Sequence, residues 1–260
     1  MKLTPSFRER VWGSTSLEPW FDRRADPQHK IGEVWFERDP PLPILVKFLF
    51  TTGNLSVQVH PEGEAGTGKT EMWYILAAEP GAKLALGFRR VVTRNEVARA
   101  ATEGTVESLL QFFPVKPGET YFVPAGTVHA IGAGIVLCEI QQNSDITYRL
   151  YDYGRGRELH LEQGLAVADL DGHPGAPVPK PGGDDSTRLV ESRYFVTELI
   201  EASEPRRIRR AGESCLLMAV EGDAAVDGDP FRAGEVILLE RDSVELQLRS
   251  RVRLLRTFLP

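Results

Sequence analysis

GNLSVQVHPEGEAGTGKTE, residues 53–71, is the stretch on which the reading of this chain turns. In Leu55-Ser56-Val57-Gln58-Val59-His60 the apolar side chains fall on odd positions and the polar ones on even positions, the alternation of a half-buried β-strand. Gln58 and His60 therefore project from one face, close enough to share a cation. Imidazole with amide or carboxylate oxygen suits a borderline divalent metal such as zinc. Taken alone, the pair describes a solvated strand face more readily than a metal site. Lys69 and Glu71, two residues apart, end the stretch.

A second stretch, GETYFVPAGTVHAIG at Gly118–Gly132, supplies His129 and changes the balance. Its Gly118, Pro124, Gly126 and His129 fit the spacing G-x5-P-x-G-x2-H, and this resembles the second motif of the cupin superfamily. The first cupin motif is met loosely, with Gln58 in place of its first histidine and Glu71 arriving late. Ala133 stands where the second motif ends in asparagine. These departures resemble one branch of the superfamily, the short bacterial class I mannose-6-phosphate isomerases. The blocks that carry the resemblance are LSVQVHP (55–61), GKTEMWYIL (68–76), VPAGTVHAIGAG (123–134) and EIQQNSDITYRLYDYGR (139–155), with a weaker echo in LVKFLF (45–50). The resemblance implies that Gln58, His60, Glu71 and His129 hold one divalent ion, zinc in the first instance. It further implies that Lys69 and Arg149 serve proton transfer and substrate binding, with Glu139 as another substrate-binding residue. The activity implied is interconversion of mannose 6-phosphate and fructose 6-phosphate through an enediolate.

Two readings compete. A cupin that binds a sugar phosphate without turning it over would keep the same residues. Gly63-Glu64-Ala65-Gly66-Thr67-Gly68-Lys69-Thr70 also satisfies the P-loop pattern G-x4-G-K-T. A P-loop needs a helix after its Lys-Thr, to hold phosphate at the helix N-terminus. Glu-Met-Trp-Tyr-Ile-Leu at 71–76 instead reads as a strand.

Composition sets outer limits. A net charge of -6 at pH 7 lacks the basic footprint of a general nucleic-acid binder. No apolar run approaches the length of a membrane span, and the opening MKLTPSFRERVWG has no signal-peptide core, so a cytoplasmic protein is expected. Cys138 and Cys215 stand apart in apolar segments and read as small buried hydrophobes.

The fold expected is mainly β: a cupin-type β-barrel, or jelly roll, with a small helical insertion and a second, degenerate C-terminal barrel. Residues 1–171 are expected to form the metal-binding unit, 172–187 (GHPGAPVPKPGGDDST) a linker, and 188–260 the degenerate unit, because all five histidines precede 174. Residues 1–42 read as an irregular arm with a short strand near Glu33–Phe36. Thr51-Thr52-Gly53-Asn54 reads as a hairpin turn. Thr93 with Glu96 reads as a capping box opening a helix that stops at Gly104, and 105–113 as a second short helix. Thr147, Arg149 and Tyr151 are expected to share a lumen-facing side of one strand. Trp12, Trp20 and Trp35 are candidates for a sugar pocket or for packing.

Overall fold

The computed structural model describes all residues except 24–25, 65, 174–179 and 183–185. The first part of the chain forms β1 (Pro5–Ser14), β2 (Ile31–Phe36), β3 (Ile44–Phe50), β4 (Val57–Val59), β5 (Glu71–Ala78), β6 (Lys83–Phe88), β7 (Leu110–Pro114), β8 (Thr120–Val123), β9 (His129–Ile131), β10 (Ile135–Gln142) and β11 (Tyr148–Tyr151). They make two facing sheets of antiparallel strands, ordered β1-β2-β3-β10-β5-β8 and β11-β4-β9-β6-β7. This is the jelly roll expected, with its sheets open at their edges rather than closed into a barrel.

The later part adds β12 (Lys180–Pro181), β13 (Thr187–Glu191), β14 (Val196–Ala202), β15 (Arg206–Arg209), β16 (Glu213–Glu221), β17 (Asp223–Val226), β18 (Asp229–Arg232), β19 (Val236–Leu238), β20 (Ser243–Leu248) and β21 (Val252–Leu259). They form a six-stranded sheet, β12-β13-β14-β21-β16-β19, facing a four-stranded one, β15-β20-β17-β18. The six-stranded sheets of the two parts run through their strands in the same relative order.

Strand alternation sorts the apolar residues into layers. Phe48, Met72, Tyr74, Cys138 and Ile140 point away from the first lumen and pack against Leu216, Met218 and Leu255, which point away from the later one, so the two six-stranded sheets meet back to back through one core. Leu49, Trp73, Ile75, Leu84 and Leu137 point into the first lumen. Val57, Val59 and Leu150 on the outer side of the five-stranded sheet are covered by the two helices, α1 (Arg94–Thr102) and α2 (Leu161–Val167). A separate apolar core, with Phe231 and Leu254, fills the later pair of sheets.

Several expectations are corrected. The irregular arm contains the ten-residue β1, paired along β2, because its alternating Phe7 and Arg8 find a sheet edge to add to. Residues 51–54 are not a hairpin turn: β3 pairs with β2 and β10, while β4 pairs with β11 and β9, so the segment crosses from one sheet to the other. Thr51 anchors that corner by donating Oγ1–H toward the carbonyls of Gly132 (2.8 Å) and Ile135 (3.1 Å). Thr93 caps α1 as expected, accepting from the Glu96 N–H at 3.2 Å. The second helix shrinks to a 3-10 turn, Val106–Leu109, and the aromatic residues after it join β7 because β6 offers an edge for pairing. Helix α2 has no counterpart in the sequence reading. A register shift after Arg149 turns Tyr151 away from the lumen onto the helical side, whereas Thr147 and Arg149 do face the cavity. The expected linker at 172–187 lies largely outside the described residues; within it Lys180 and Pro181 pair with Arg188 and Thr187.

Phe48 is fully buried where the two parts meet and stacks edge-on against Phe21 at 5.6 Å and Phe36 at 5.9 Å. Phe48→Ala should cost about 3–5 kcal/mol by the usual cavity penalty, read as a shift of the denaturation midpoint. A loss under about 1 kcal/mol would show that this joint is not a packed core.

Candidate metal centre and cavity

Antiparallel register fixes the site before any side chain is considered. In the five-stranded sheet Gln58 lies directly opposite His129 on one side and Arg149 on the other. In the six-stranded sheet Glu139 lies between Lys47 and Trp73, and Gln141 lies opposite Glu71. The lumen-facing residues of the two sheets therefore converge across the gap.

His60, Glu71 and His129 offer ligand atoms that all lie within 4.8 Å of one another, and all three are buried. The imidazole Nε2 atoms of His60 and His129 stand 3.7 and 3.6 Å from separate oxygens of Glu71. Each Nδ1 lies against a backbone carbonyl, that of Ile146 for His60 (2.8 Å) and that of Thr127 for His129 (2.9 Å). A carbonyl only accepts, so each Nδ1 carries the proton and each Nε2 presents its lone pair to the centre. Burial lowers both basicities, that of His129 to about 4 and that of His60 well below the usual range, so both rings are neutral at pH 7. That is the protonation state and tautomer a metal-binding histidine needs.

Gln58 closes the group. Its amide nitrogen lies 3.2 Å from His129 Nε2, and its Oε1 accepts from Ser56 Oγ at 2.9 Å. Rotating the amide by half a turn exchanges the two ends and brings oxygen to the centre. Glu71 gives the test of fit. It is 1 % exposed, and among the described residues neither carboxylate oxygen has an aligned hydrogen bond. Lys69 Nζ approaches Oε2 at 2.7 Å as an ion pair, without hydrogen-bond alignment. Burial and the charge of Glu139 push the Glu71 carboxyl up to about 7, against the pull of Lys69. A divalent ion held by Gln58, His60, Glu71 and His129 would compensate a carboxylate so placed, and the donor set of two imidazoles, a carboxylate and an amide oxygen suits one.

Lys69 sits in the same cluster, 3.1 Å from His60 Nε2 and 3.7 Å from Glu139 Oε1. Its loop is tied down where the two sequence motifs meet: the Lys69 N–H donates to Pro61, that of Thr70 to Gln142 Oε1, and that of Gly126 to His60. Gly126 adopts φ +86°, a conformation that favours glycine. A lysine serves as a base only where its surroundings lower its pKa. Burial does act that way, but the carboxylates Glu139 and Glu71 outweigh it and raise the pKa, so the protein groups favour the ammonium. Glu139 is the converse: burial would raise it, but Lys69 and Lys47 hold it down at about 2. Lys47 Nζ reaches Oε1 at 3.2 Å and Trp73 Nε1–H donates to Oε2 at 3.1 Å.

Gln58, Lys69, Glu71, Glu139 and Lys47 line a cavity of about 530 Å³, a volume suited to a small metabolite. Arg149, the cross-strand neighbour of Gln58, and Arg157 line it too, and Trp12, Trp35 and Trp73 supply flat apolar surfaces. Trp20 does not join them: its indole donates to the Val220 carbonyl at 3.0 Å. The sequence reading missed Lys47, Trp73 and Arg157. Lys47 had a signal, the single charge in the apolar run ILVKFLF. The P-loop reading fails here, because strand β5 and not a helix follows Thr70, and Lys69 points at His60 and Glu71.

No protein-family model matches the chain. The chain is 32 % identical to the mannose-6-phosphate isomerase ManA of Bacillus subtilis, with 94 % of each covered. It is 36 % identical to the mannose-6-phosphate isomerase of Streptococcus mutans over 71 % of this chain and 62 % of that one. The fold superposes on the crystal structure of the Bacillus subtilis mannose 6-phosphate isomerase with a TM-score of 0.86 at 25 % identity, covering 98 % of both chains. A phosphomannose isomerase variant from Salmonella typhimurium shares the fold at a TM-score of 0.78 and 17 % identity, over 99 % of this chain and 98 % of that one. With a relative above 30 % identity matched almost end to end, the chain belongs to the mannose-6-phosphate isomerase family.

Proposed function

We propose that this chain interconverts mannose 6-phosphate and fructose 6-phosphate, with zinc held by Gln58, His60, Glu71 and His129. The observation that carries the reading is the convergence of two neutral imidazoles on a buried carboxylate lacking hydrogen bonds, beside a cavity of metabolite size. Bound there, the ion supplies Lewis-acid charge for the sugar oxygens that become anionic when a proton leaves the adjacent carbon.

The protein's own groups do the rest. Lys69, kept protonated by Glu71 and Glu139, holds a proton at Nζ beside the centre and stabilises the enediolate oxygen nearest it. Arg149, on the strand beside Gln58, binds and orients the sugar phosphate through a guanidinium whose Nε is buried with no partner among the described residues. Glu139, anchored by Lys47 and Trp73, accepts from a sugar hydroxyl and fixes the sugar's orientation against the metal. Trp35 and Trp73 flank this wall and exclude water from it. Residues 1–171 act in this reading as the catalytic unit and 188–260 as its support. A sugar phosphate is too strongly charged to cross a bilayer unaided, so the reading carries a cytoplasmic location; among the described residues no helix is long and apolar enough to cross a membrane.

Two tests follow from this assignment. Purified protein should contain one divalent ion per chain, and His60→Ala should lose that ion and the turnover of mannose 6-phosphate together. Full turnover by metal-free protein would sink the metal reading, and a metal-loaded chain that binds the sugar phosphate without converting it would leave a binding protein instead. In deuterated solvent, Lys69→Ala should slow isotope incorporation at the sugar carbon by about 100-fold or more, the usual cost of removing a donor to a developing oxyanion, and Arg149→Ala should slow it by loosening the hold on the sugar phosphate. Incorporation at the wild-type rate in either variant removes that residue from the role assigned to it.

A further inference from the structure

The cations around the cavity are not balanced alike. Arg10 pairs with Glu33 at 2.8 Å, Lys47 with Glu139 at 3.2 Å and Lys69 with Glu71 at 2.7 Å. Among the described residues Arg149 has no carboxylate partner, and Arg157 shares its one, Asp152, with Arg155. The Arg149 Nη1 donates to the Glu158 carbonyl at 2.9 Å, and its Nε is buried without a partner. Arg157 donates Nε and Nη2 to the two oxygens of Asp152, at 2.7 and 2.5 Å. Asp152 is already shared with Arg155, whose Nη2 reaches it at 2.7 Å. Three guanidiniums thus stand against one buried carboxylate, and Arg149 feels the charge of Arg157.

The backbone is bent to achieve this. In Asp152-Tyr153-Gly154-Arg155-Gly156-Arg157 the φ angles of Tyr153, Gly154 and Gly156 are +54°, +72° and +75°. The tyrosine holds a conformation that L-residues rarely adopt, with its hydroxyl donating to Glu107 at 2.9 Å. The two arginines this brings to Asp152 have different fates. Arg155 is spent inside the protein, donating from Nε to the Asp152 carbonyl and from Nη1 to the Asn54 carbonyl. Arg157 lines the cavity, and among the described residues its Nη1 has no protein partner. Asp152 does not line the cavity, so it aims the guanidinium without presenting its own charge to a ligand; Glu9 and Asp145, the acidic residues of the lining outside the three pairs above, are exposed.

We propose that Arg157, aimed by Asp152, forms with Arg149 the subsite that takes the dianionic phosphate of the substrate. Two guanidiniums offer the forked, charge-assisted donors that phosphate oxygens accept, and their surplus charge matches a dianion. Asp152 is a positioning residue, and Arg157 is a binding residue. The identity of the anion rests on the isomerase reading above.

Calorimetric titration of the metal-loaded protein with inorganic phosphate tests this, with metal content measured on every variant. Arg157→Ala should weaken phosphate binding tenfold or more while keeping its metal, and Arg157→Lys, which retains charge but not the fork, should fall between. Asp152→Asn should weaken phosphate binding as well, with metal retained, because the guanidinium loses its aim. Wild-type protein that does not bind phosphate, or metal-loaded Arg157→Ala and Arg157→Lys that bind it within threefold of wild type, would overturn the subsite. The isomerase reading stands or falls separately: a wild-type chain that binds phosphate through Arg157 yet does not convert mannose 6-phosphate refutes that reading alone.

Discussion

A buried carboxylate without hydrogen bonds is an expensive thing for a fold to contain, and Glu71 is one. An uncompensated charge in the interior costs several kcal/mol, commonly enough to drive protonation or rearrangement. Around Glu71 the protein supplies one ammonium and two imidazoles, but it withholds the backbone N–H groups that would satisfy the oxygens permanently. The result is a carboxylate held in place and left available. Both imidazoles are locked by carbonyls into the tautomer that faces it, so the three groups present lone pairs to one point rather than to each other.

What holds that arrangement is sheet register more than local contact. Glu71 opens β5, His129 opens β9, and His60 follows the end of β4, so each is clamped by ladder hydrogen bonds on one side and free to enter the lumen on the other. A slip of one residue in any of these strands would turn its polar set into an apolar layer. The apolar neighbours forbid the slip: Val57 and Val59 are committed to the helical layer, and Met72 and Tyr74 to the joint with the later sheets. Site geometry and core packing are thus the same constraint seen from opposite faces of a strand.

This explains which parts were legible in the sequence. Period-two alternation puts Gln58 and His60 on one face, and the resemblance, carried by local motif spacing, adds Glu71 and His129. Lys47 stands out only as a lone charge in an apolar run and Trp73 not at all; the pairing of β3, β10 and β5 is what puts them either side of Glu139. Arg157 was invisible for another reason, since it follows a loop whose path depends on positive φ at a tyrosine. The Thr51–Asn54 segment was misread because turn chemistry is common to hairpins and to crossovers, and only strand partners separate the two. Residues 110–113 were taken for helix because an aromatic run carries no period of its own, and β6 decided it.

The later sheets show why a row of charges is not enough. Along the first six-stranded sheet Trp35, Lys47, Glu139, Trp73 and Tyr121 are successive cross-strand partners; along the second, Arg188, Glu198, Arg256, Leu217 and Ile237 are. The same places in the topology carry a buried ion pair in both, with its sign reversed between the two central strands. In the second row the pair is closed on itself. Arg256 donates Nε and Nη2 to one oxygen of Glu198, Arg188 donates to the other, and the remaining Arg256 nitrogen reaches the Arg209 carbonyl. No oxygen of Glu198 is left over, the surrounding core is apolar, and the sequence has no histidine in this part. In the first row Glu139 is likewise satisfied by Lys47 and Trp73, but it lies beside Lys69 and Glu71, whose oxygens are not. The difference between a structural ion pair and a reactive site therefore lies in the one neighbouring carboxylate that the fold buries and declines to hydrogen-bond.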